Sequence, residues 1–196
     1  MKHIYINNKS PNTLILLHGT GGDEHDLLQI ASHLDKEANI LSFRGNIVEN
    51  GMNRFFKRLG MGIYDLESYE LETNNLLKSI EELSNKYEFK LENTTVVGFS
   101  NGANIALGLI QTNNIVNNYI LYSPDFINPN KEFPNLEGVN IFISTADNDP
   151  FVNPSNMQLL INKLKENNAN LEVFKQSGHQ LTMNTLNESK RWYSNL

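Results

Sequence analysis

The stretch between residues 94 and 110 confines the fold more tightly than any other part of the chain. An apolar, β-rich run, Thr94-Thr95-Val96-Val97, passes through Gly98-Phe99-Ser100-Asn101-Gly102 into a helical run at 103–110. A strand that becomes a helix within so few residues makes a sharp turn with no space for side chains at its flanks. Glycine on both sides of Ser100 meets that demand. A serine held there stands exposed above a sheet, at the positive end of the following helix.

The remainder of the chain agrees with such a turn, because short β-rich runs alternate with amphipathic stretches. Strands are expected at 4–6, 13–17, 39–43, 94–97, 118–122, 139–144 and 171–175, several of them apolar throughout rather than alternating. Helices are expected after Asp23, over 68–86, and after Ser100, Pro154 and Leu181. In the long one, Leu71, Leu76, Leu77, Ile80 and Leu83 form the buried stripe. The fold class is therefore α/β, a mainly parallel sheet with helices on both faces. The connection from Tyr122 to Val139 is too short for a sizeable lid domain, and 128–134 reads as a surface loop. With 196 residues, no repeat and no Pro- or Gly-rich linker, one domain spans 1–196.

Charge and composition narrow the chemistry. A net charge of -6 and no basic stripe argue against a nucleic-acid partner. The absence of cysteine removes disulfides, thiol nucleophiles and thiolate-bound zinc, so any nucleophile is oxygen or nitrogen. The first eight residues do not look like a signal peptide, and the longest apolar run, Leu14-Ile15-Leu16-Leu17, is too short for a membrane span, so a cytoplasmic location is expected.

A serine hydroxyl needs a base, usually histidine, and an acid to orient it. Of five histidines, His179 combines a position just after the last expected strand with a preceding glycine that permits close approach. The acid should fall between Ser100 and His179. Asp149 is preferred, with Pro150 setting its turn; Asp125 competes, and Asp147 suits a turn-capping role. Oxyanion donors are expected from the backbone N–H groups of Thr20, in His18-Gly19-Thr20-Gly21-Gly22, and of Asn101. That glycine-rich turn lacks the spacing of a nucleotide-binding loop. Asp23, Glu24, His25 and Asp26 are read as the start of a helix rather than a metal site, and no metal or cofactor is expected.

With these motifs in this order, the chain resembles the carboxylesterase, lysophospholipase and acyl-protein thioesterase group of α/β-hydrolases over nearly its whole length. Within the group, Arg44-Gly45-Asn46-Ile47-Val48-Glu49-Asn50-Gly51-Met52 and Arg54-Phe55-Phe56-Lys57-Arg58-Leu59 look most like a bacterial branch linked to hydroquinone and quinone resistance. The resemblance implies hydrolysis of a small ester or thioester through an acyl-serine, carried by Ser100, Asp149 and His179. Members of the group often have a hydrophobic residue at the Thr20 position and Gln or Met at the Asn101 position. A dienelactone-type lactonase would more typically use a thiol, which this chain lacks.

Two readings stand for the segment after residue 43. Met52, Phe55, Phe56, Leu59, Met61 and Tyr64 wall a modest substrate pocket, or Phe55, Phe56 and Leu59 are the buried face of a short helix. Arg44 is expected in an internal ion pair. The alternative to an enzyme is a non-catalytic small-ligand-binding protein of the same fold. An apolar edge strand or the last helix offers a surface for a homodimer.

Overall fold

Strands rich in residues that are apolar on both faces need cover on both sides, and the chain supplies it. The computed structural model describes residues 1–60 and 62–196. In chain order the strands are β1 (His3–Ile6), β2 (Thr13–Leu17), β3 (Asn39–Phe43), β4 (Ile47–Glu49), β5 (Met52–Arg54), β6 (Arg58–Gly60), β7 (Ile63–Tyr64), β8 (Thr94–Phe99), β9 (Asn118–Tyr122), β10 (Asn140–Thr145) and β11 (Asn170–Lys175). The helices are α1 (Leu28–Leu34), α2 (Leu66–Tyr87), α3 (Asn101–Thr112), α4 (Pro154–Glu166) and α5 (Met183–Tyr193). Seven strands form one sheet in the order β1-β3-β2-β8-β9-β10-β11. Only β1 runs antiparallel to its neighbour.

The two-residue period of a strand divides the core in two. Ile15, Leu17, Val96, Leu121 and Ile143 face one way, where they meet Leu76, Ile105 and Leu160 of α2, α3 and α4. Leu14, Leu16, Val97, Ile120 and Phe142 face the other way, against Ala31 of α1 and Trp192 of α5. Caps set the helix starts: Asp65 accepts from the Ser68 N–H at 3.0 Å, Asn153 from Ser155 at 2.9 Å, and Thr182 from Thr185 at 3.2 Å. Because the strands are parallel, the loops after β2, β3, β8, β9, β10 and β11 gather at one end of the sheet, where ligand sites of open α/β sheets lie.

Four expectations are corrected. The first helix starts at Leu28, not after Asp23, because residues 24–27 form turns in which Asp23 accepts from the His25 N–H at 2.8 Å. The segment 55–59 is no helix; residues 55–57 link two small pairs of strands, β4-β5 and β6-β7, and 58–59 belong to β6, which short runs broken by Gly51 and Gly60 did not announce. Residues 128–134 are more than a surface loop, since Phe133 stacks on Phe126 at 5.9 Å and Gln111 donates to the carbonyls of Asn128 and Lys131. Leu71 is 59% exposed; Tyr69, Glu72 and Thr73 occupy the buried face of α2 beside Leu76, Ile80 and Leu83. Truncation separates the two leucines. Leu76→Ala should cost about 2–5 kcal/mol and Leu71→Ala within about 0.5 kcal/mol, read from urea midpoints at constant m.

Candidate functional site

Ser100 sits at φ 51° and ψ -113°, a conformation that costs a residue with a Cβ on the order of 1–3 kcal/mol. Its surroundings hold it there. The Ser100 N–H donates to the Tyr122 carbonyl at 2.9 Å, tying the turn to β9. A Cβ on Gly98 would stand 2.7 Å from the Ala103 backbone, and one on Gly102 would stand 1.9 Å from the Leu17 carbonyl oxygen. The two glycines thus let the first turn of α3 press against β8 and against the end of β2.

The loops after β10 and β11 bring two more predicted residues to the serine. His179 Nε2 lies 2.9 Å from Ser100 Oγ, and His179 Nδ1 lies 2.7 Å from Asp149 Oδ2. A carboxylate only accepts, so the ring proton sits on Nδ1 and leaves Nε2 to accept from the serine hydroxyl. The Asp149 side chain is fully buried, whereas that of His179 keeps 18% of its surface. Asp149 Oδ1 also accepts from the Phe151 N–H at 2.9 Å, the short loop contact that Pro150 allows. Phe99 and Phe151 flank the imidazole at 5.3 and 5.0 Å between ring centroids.

Residues that the sequence reading missed fasten the histidine loop. Gln176 donates to Ser123 Oγ and to the Gly178 carbonyl, both at 3.0 Å, and its carbonyl oxygen accepts from Thr185. The Gly178 N–H donates to Asn148 at 2.8 Å. The other two acids stand apart. Asp147 pairs with Lys175 on the surface, and Asp125 accepts from the Phe126 N–H and from Tyr64. Burial pushes the Asp125 carboxyl up, and it pushes the Tyr64 phenol up to about 12.

The glycine-rich loop after β2 is clasped by residues 53–55. The Gly21 N–H donates to the Asn53 carbonyl, Asn53 Nδ2 to the Gly22 carbonyl, and Arg54 Nη1 to Thr20 Oγ1, at 2.9, 2.8 and 2.8 Å. Asn101 joins the same segment, because its Oδ1 accepts from the Phe55 N–H at 2.7 Å. Beneath the loop His18 is 1% exposed. Its Nε2 lies 3.1 Å from the Gly45 N–H, which can only donate, so Nδ1 carries the proton and donates to the Gly19 carbonyl at 2.6 Å. This fixes the peptide that precedes Thr20. Among the described residues the N–H groups of Thr20 and Asn101 donate to no protein acceptor.

These loops enclose a cleft of about 360 Å³ lined by Thr20, Met52, Arg54, Arg58, Tyr64, Phe99, Ser100, Asn101, Asn104, Phe151 and His179. Met52 and Tyr64 lie where the pocket reading put them. Phe55 and Phe56 do not. Both are fully buried, Phe55 against the His18 ring and Phe56 against Tyr69 and Tyr64, because the chain there turns their rings into the core. Leu59 is 71% exposed, and Met61 lies outside the described residues. The two arginines of the lining, Arg54 and Arg58, flank the Phe55-Phe56 pair in sequence, a signal the sequence carried. The acidic group at 23–25 faces elsewhere: Arg44 pairs with both Asp23 and Glu24, as the ion-pair reading expected, and Lys2 adds a second cation to Glu24.

Burial lowers the pKa of His18 against the opposing pull of its bond to Gly19, so the unfolded chain takes up a proton more readily than the folded one. The stability this contributes is complete above an unfolded pKa of about 6.5 and is lost as the pH falls toward the folded value. The neutral variant His18→Gln should therefore show a smaller drop in urea midpoint than wild type between about pH 7 and pH 5.

The whole chain has known counterparts. The carboxylesterase of Bacillus cereus is 39% identical, with a TM-score of 0.96 over 100% of this chain and 94% of that one. YahD, whose structure was determined with malic acid, is 32% identical, with a TM-score of 0.93 over 99% and 98% of the two chains. The protein named "Putative hydrolase MhqD" from Bacillus subtilis (strain 168) is 38% identical over 195 residues, 98% of each chain. The fold is that of these α/β-hydrolases, and no described helix is long and apolar enough to cross a membrane. Residues 55–190 match the profile of the dienelactone hydrolase family, and the chain belongs to that family.

Proposed function

We propose that the chain is a serine carboxylesterase that cleaves small esters or thioesters through an acyl-serine intermediate, with Ser100 as nucleophile, His179 as base and Asp149 as orienting acid. The observation that carries this reading is the unbroken relay from Ser100 Oγ through His179 to the buried Asp149 carboxylate, at 2.9 and 2.7 Å. The family and its carboxylesterase relatives agree with it.

As Ser100 Oγ bonds to the substrate carbonyl carbon, its proton passes to His179 Nε2. Asp149 keeps the ring in the tautomer that can accept it and stabilises the imidazolium. The carbonyl oxygen becomes an oxyanion, taken by the N–H groups of Thr20 and Asn101, which give up no protein hydrogen bond to receive it. His179 then returns the proton to the departing alcohol or thiol as the C–O or C–S bond breaks. Water repeats the sequence on the acyl-serine and releases the acid. The strained Ser100 turn contributes by keeping Oγ clear of helix and sheet.

Labelling with a fluorophosphonate should place one adduct on Ser100, and Ser100→Ala should abolish both the adduct and ester turnover. Asp149→Asn should lower kcat by roughly 10³–10⁴-fold, and Asp125→Asn by less than about tenfold, a split that the chain order alone could not foresee. No adduct and no turnover on a panel of p-nitrophenyl esters would favour the non-catalytic binding protein instead.

A further inference from the structure

Two strands of the main sheet end on a serine in the left-handed region. Ser100 follows β8 at φ 51°, and Ser123 follows β9 at φ 48°. Among the described residues, the other non-glycine positions with positive φ are Lys9, Asn50, Glu88 and Asn168, all exposed in loops or at helix ends. Ser123, by contrast, is 1% exposed. Its N–H donates to the Ser144 carbonyl at 3.0 Å, as the Ser100 N–H donates to Tyr122, so each turn hangs on the next strand. Glycine would take up this backbone without the penalty that a Cβ brings. What serine adds over glycine there is its hydroxyl, and strain kept at such a place is a sign of use.

That hydroxyl belongs to a chain of hydrogen bonds whose direction can be read throughout. The Gly178 carbonyl only accepts, so the Gln176 atom 3.0 Å from it is Nε2, and the same Nε2 donates to Ser123 Oγ at 3.0 Å. Gln176 Oε1 in turn accepts from Thr185 Oγ1 at 2.9 Å. Thr185 is fully buried; with its own proton given to Gln176, it accepts from Thr182 Oγ1 at 3.0 Å, at the N-cap of α5. At the other end, Ser123 Oγ accepts from Gln176 and keeps its proton for the His179 carbonyl, a longer contact of 3.5 Å. The chain therefore runs one way, from the start of α5 to the peptides of Gly178 and His179. Ser123 is its anchor on the sheet, because its backbone is pinned to β10.

We propose that Ser123 is a positioning residue for His179: its hydroxyl, held in place by a strained backbone, fixes the Gln176 carboxamide and the His179 peptide so that the imidazole stays in line with Ser100. The inference rests on the reading of His179 as the base. Hydroxyl and backbone make opposite demands at this position. Glycine suits the backbone better than serine does, yet neither glycine nor alanine can replace the hydroxyl. A merely structural residue would tie activity to stability, whereas a positioning residue separates them.

The test measures urea midpoints and p-nitrophenyl acetate kinetics on wild type, Ser123→Ala, Ser123→Gly and Gln176→Met. Ser123→Ala removes the hydroxyl and keeps the strain, while Ser123→Gly removes both, so its midpoint should lie above that of Ser123→Ala. Both should nevertheless lose on the order of tenfold in kcat, with KM little changed. Gln176→Met should lose a similar factor, and combining it with Ser123→Gly should cost less than the product of the two losses, because both cut the same chain. A kcat that rises with stability from Ser123→Ala to Ser123→Gly, or that stays at the wild-type value in both, would overturn the proposal. The low-field proton resonance of His179 Nδ1–H supplies a readout that needs no substrate. It should be sharp in wild type and broadened by faster exchange in Ser123→Gly and Gln176→Met. That broadening, in a protein whose wild type turns over no ester, would sink the esterase reading and leave the positioning role standing. Full turnover with an unmoved resonance in both variants would do the reverse.

Discussion

The close approach of Gly102 to the end of β2 is the contact on which the site depends. A hydrogen in place of a side chain lets α3 start directly beneath the Leu17 and His18 carbonyls. This brings the loop after β2 alongside the loop after β8, so that Thr20, Ser100 and Asn101 line one cleft. The same closeness forces Ser100 out of the comfortable backbone regions. The strain is held by the neighbouring strand, through the bond from Ser100 to Tyr122, and by the helix that follows.

Around that point the parallel sheet supplies side chains from strands far apart in sequence. Asp149 comes from the end of β10 and His179 from the end of β11, each on a loop tied down by its own hydrogen bonds. Gln176 and Asn148 matter here because an imidazole on an untethered loop would lose its alignment with a fixed serine. His18 plays the matching part beneath the glycine-rich loop, where the Gly45 N–H occupies Nε2 and the proton on Nδ1 orients the Gly19 carbonyl.

The segment between β3 and α2 gives the cleft its individual character. Its two hairpins stand at the rim of the cleft, and residues 53–55 reach down to hold the glycine-rich loop and Asn101. The wall it presents is half apolar, from Met52, and half cationic, from Arg54 and Arg58. The cationic wall and the glycine-rich loop are thereby joined, since Arg54 touches Thr20 directly.

Much of this was legible in the sequence because local rules decide it. All seven strands of the main sheet follow from apolar runs bounded by polar or glycine-rich turns, and the long helix from its spacing, although the period alone put Leu71 on the wrong side. The residue types and chain order of Ser100, Asp149 and His179 were readable for the same reason: each follows a strand and each sits within two residues of a glycine or proline. Tertiary structure decided what depends on distance. It turned Phe55 and Phe56 into the core and Arg54 and Arg58 into the cleft, because a short irregular segment has no periodicity to say which way it faces. It put Asp149 rather than Asp125 against the histidine, since two acids on adjacent loops differ only in where parallel strands bring them. It also set the serine, histidine and aspartate within hydrogen-bond reach, a separation that a chain spanning 79 residues from Ser100 to His179 can acquire only by folding.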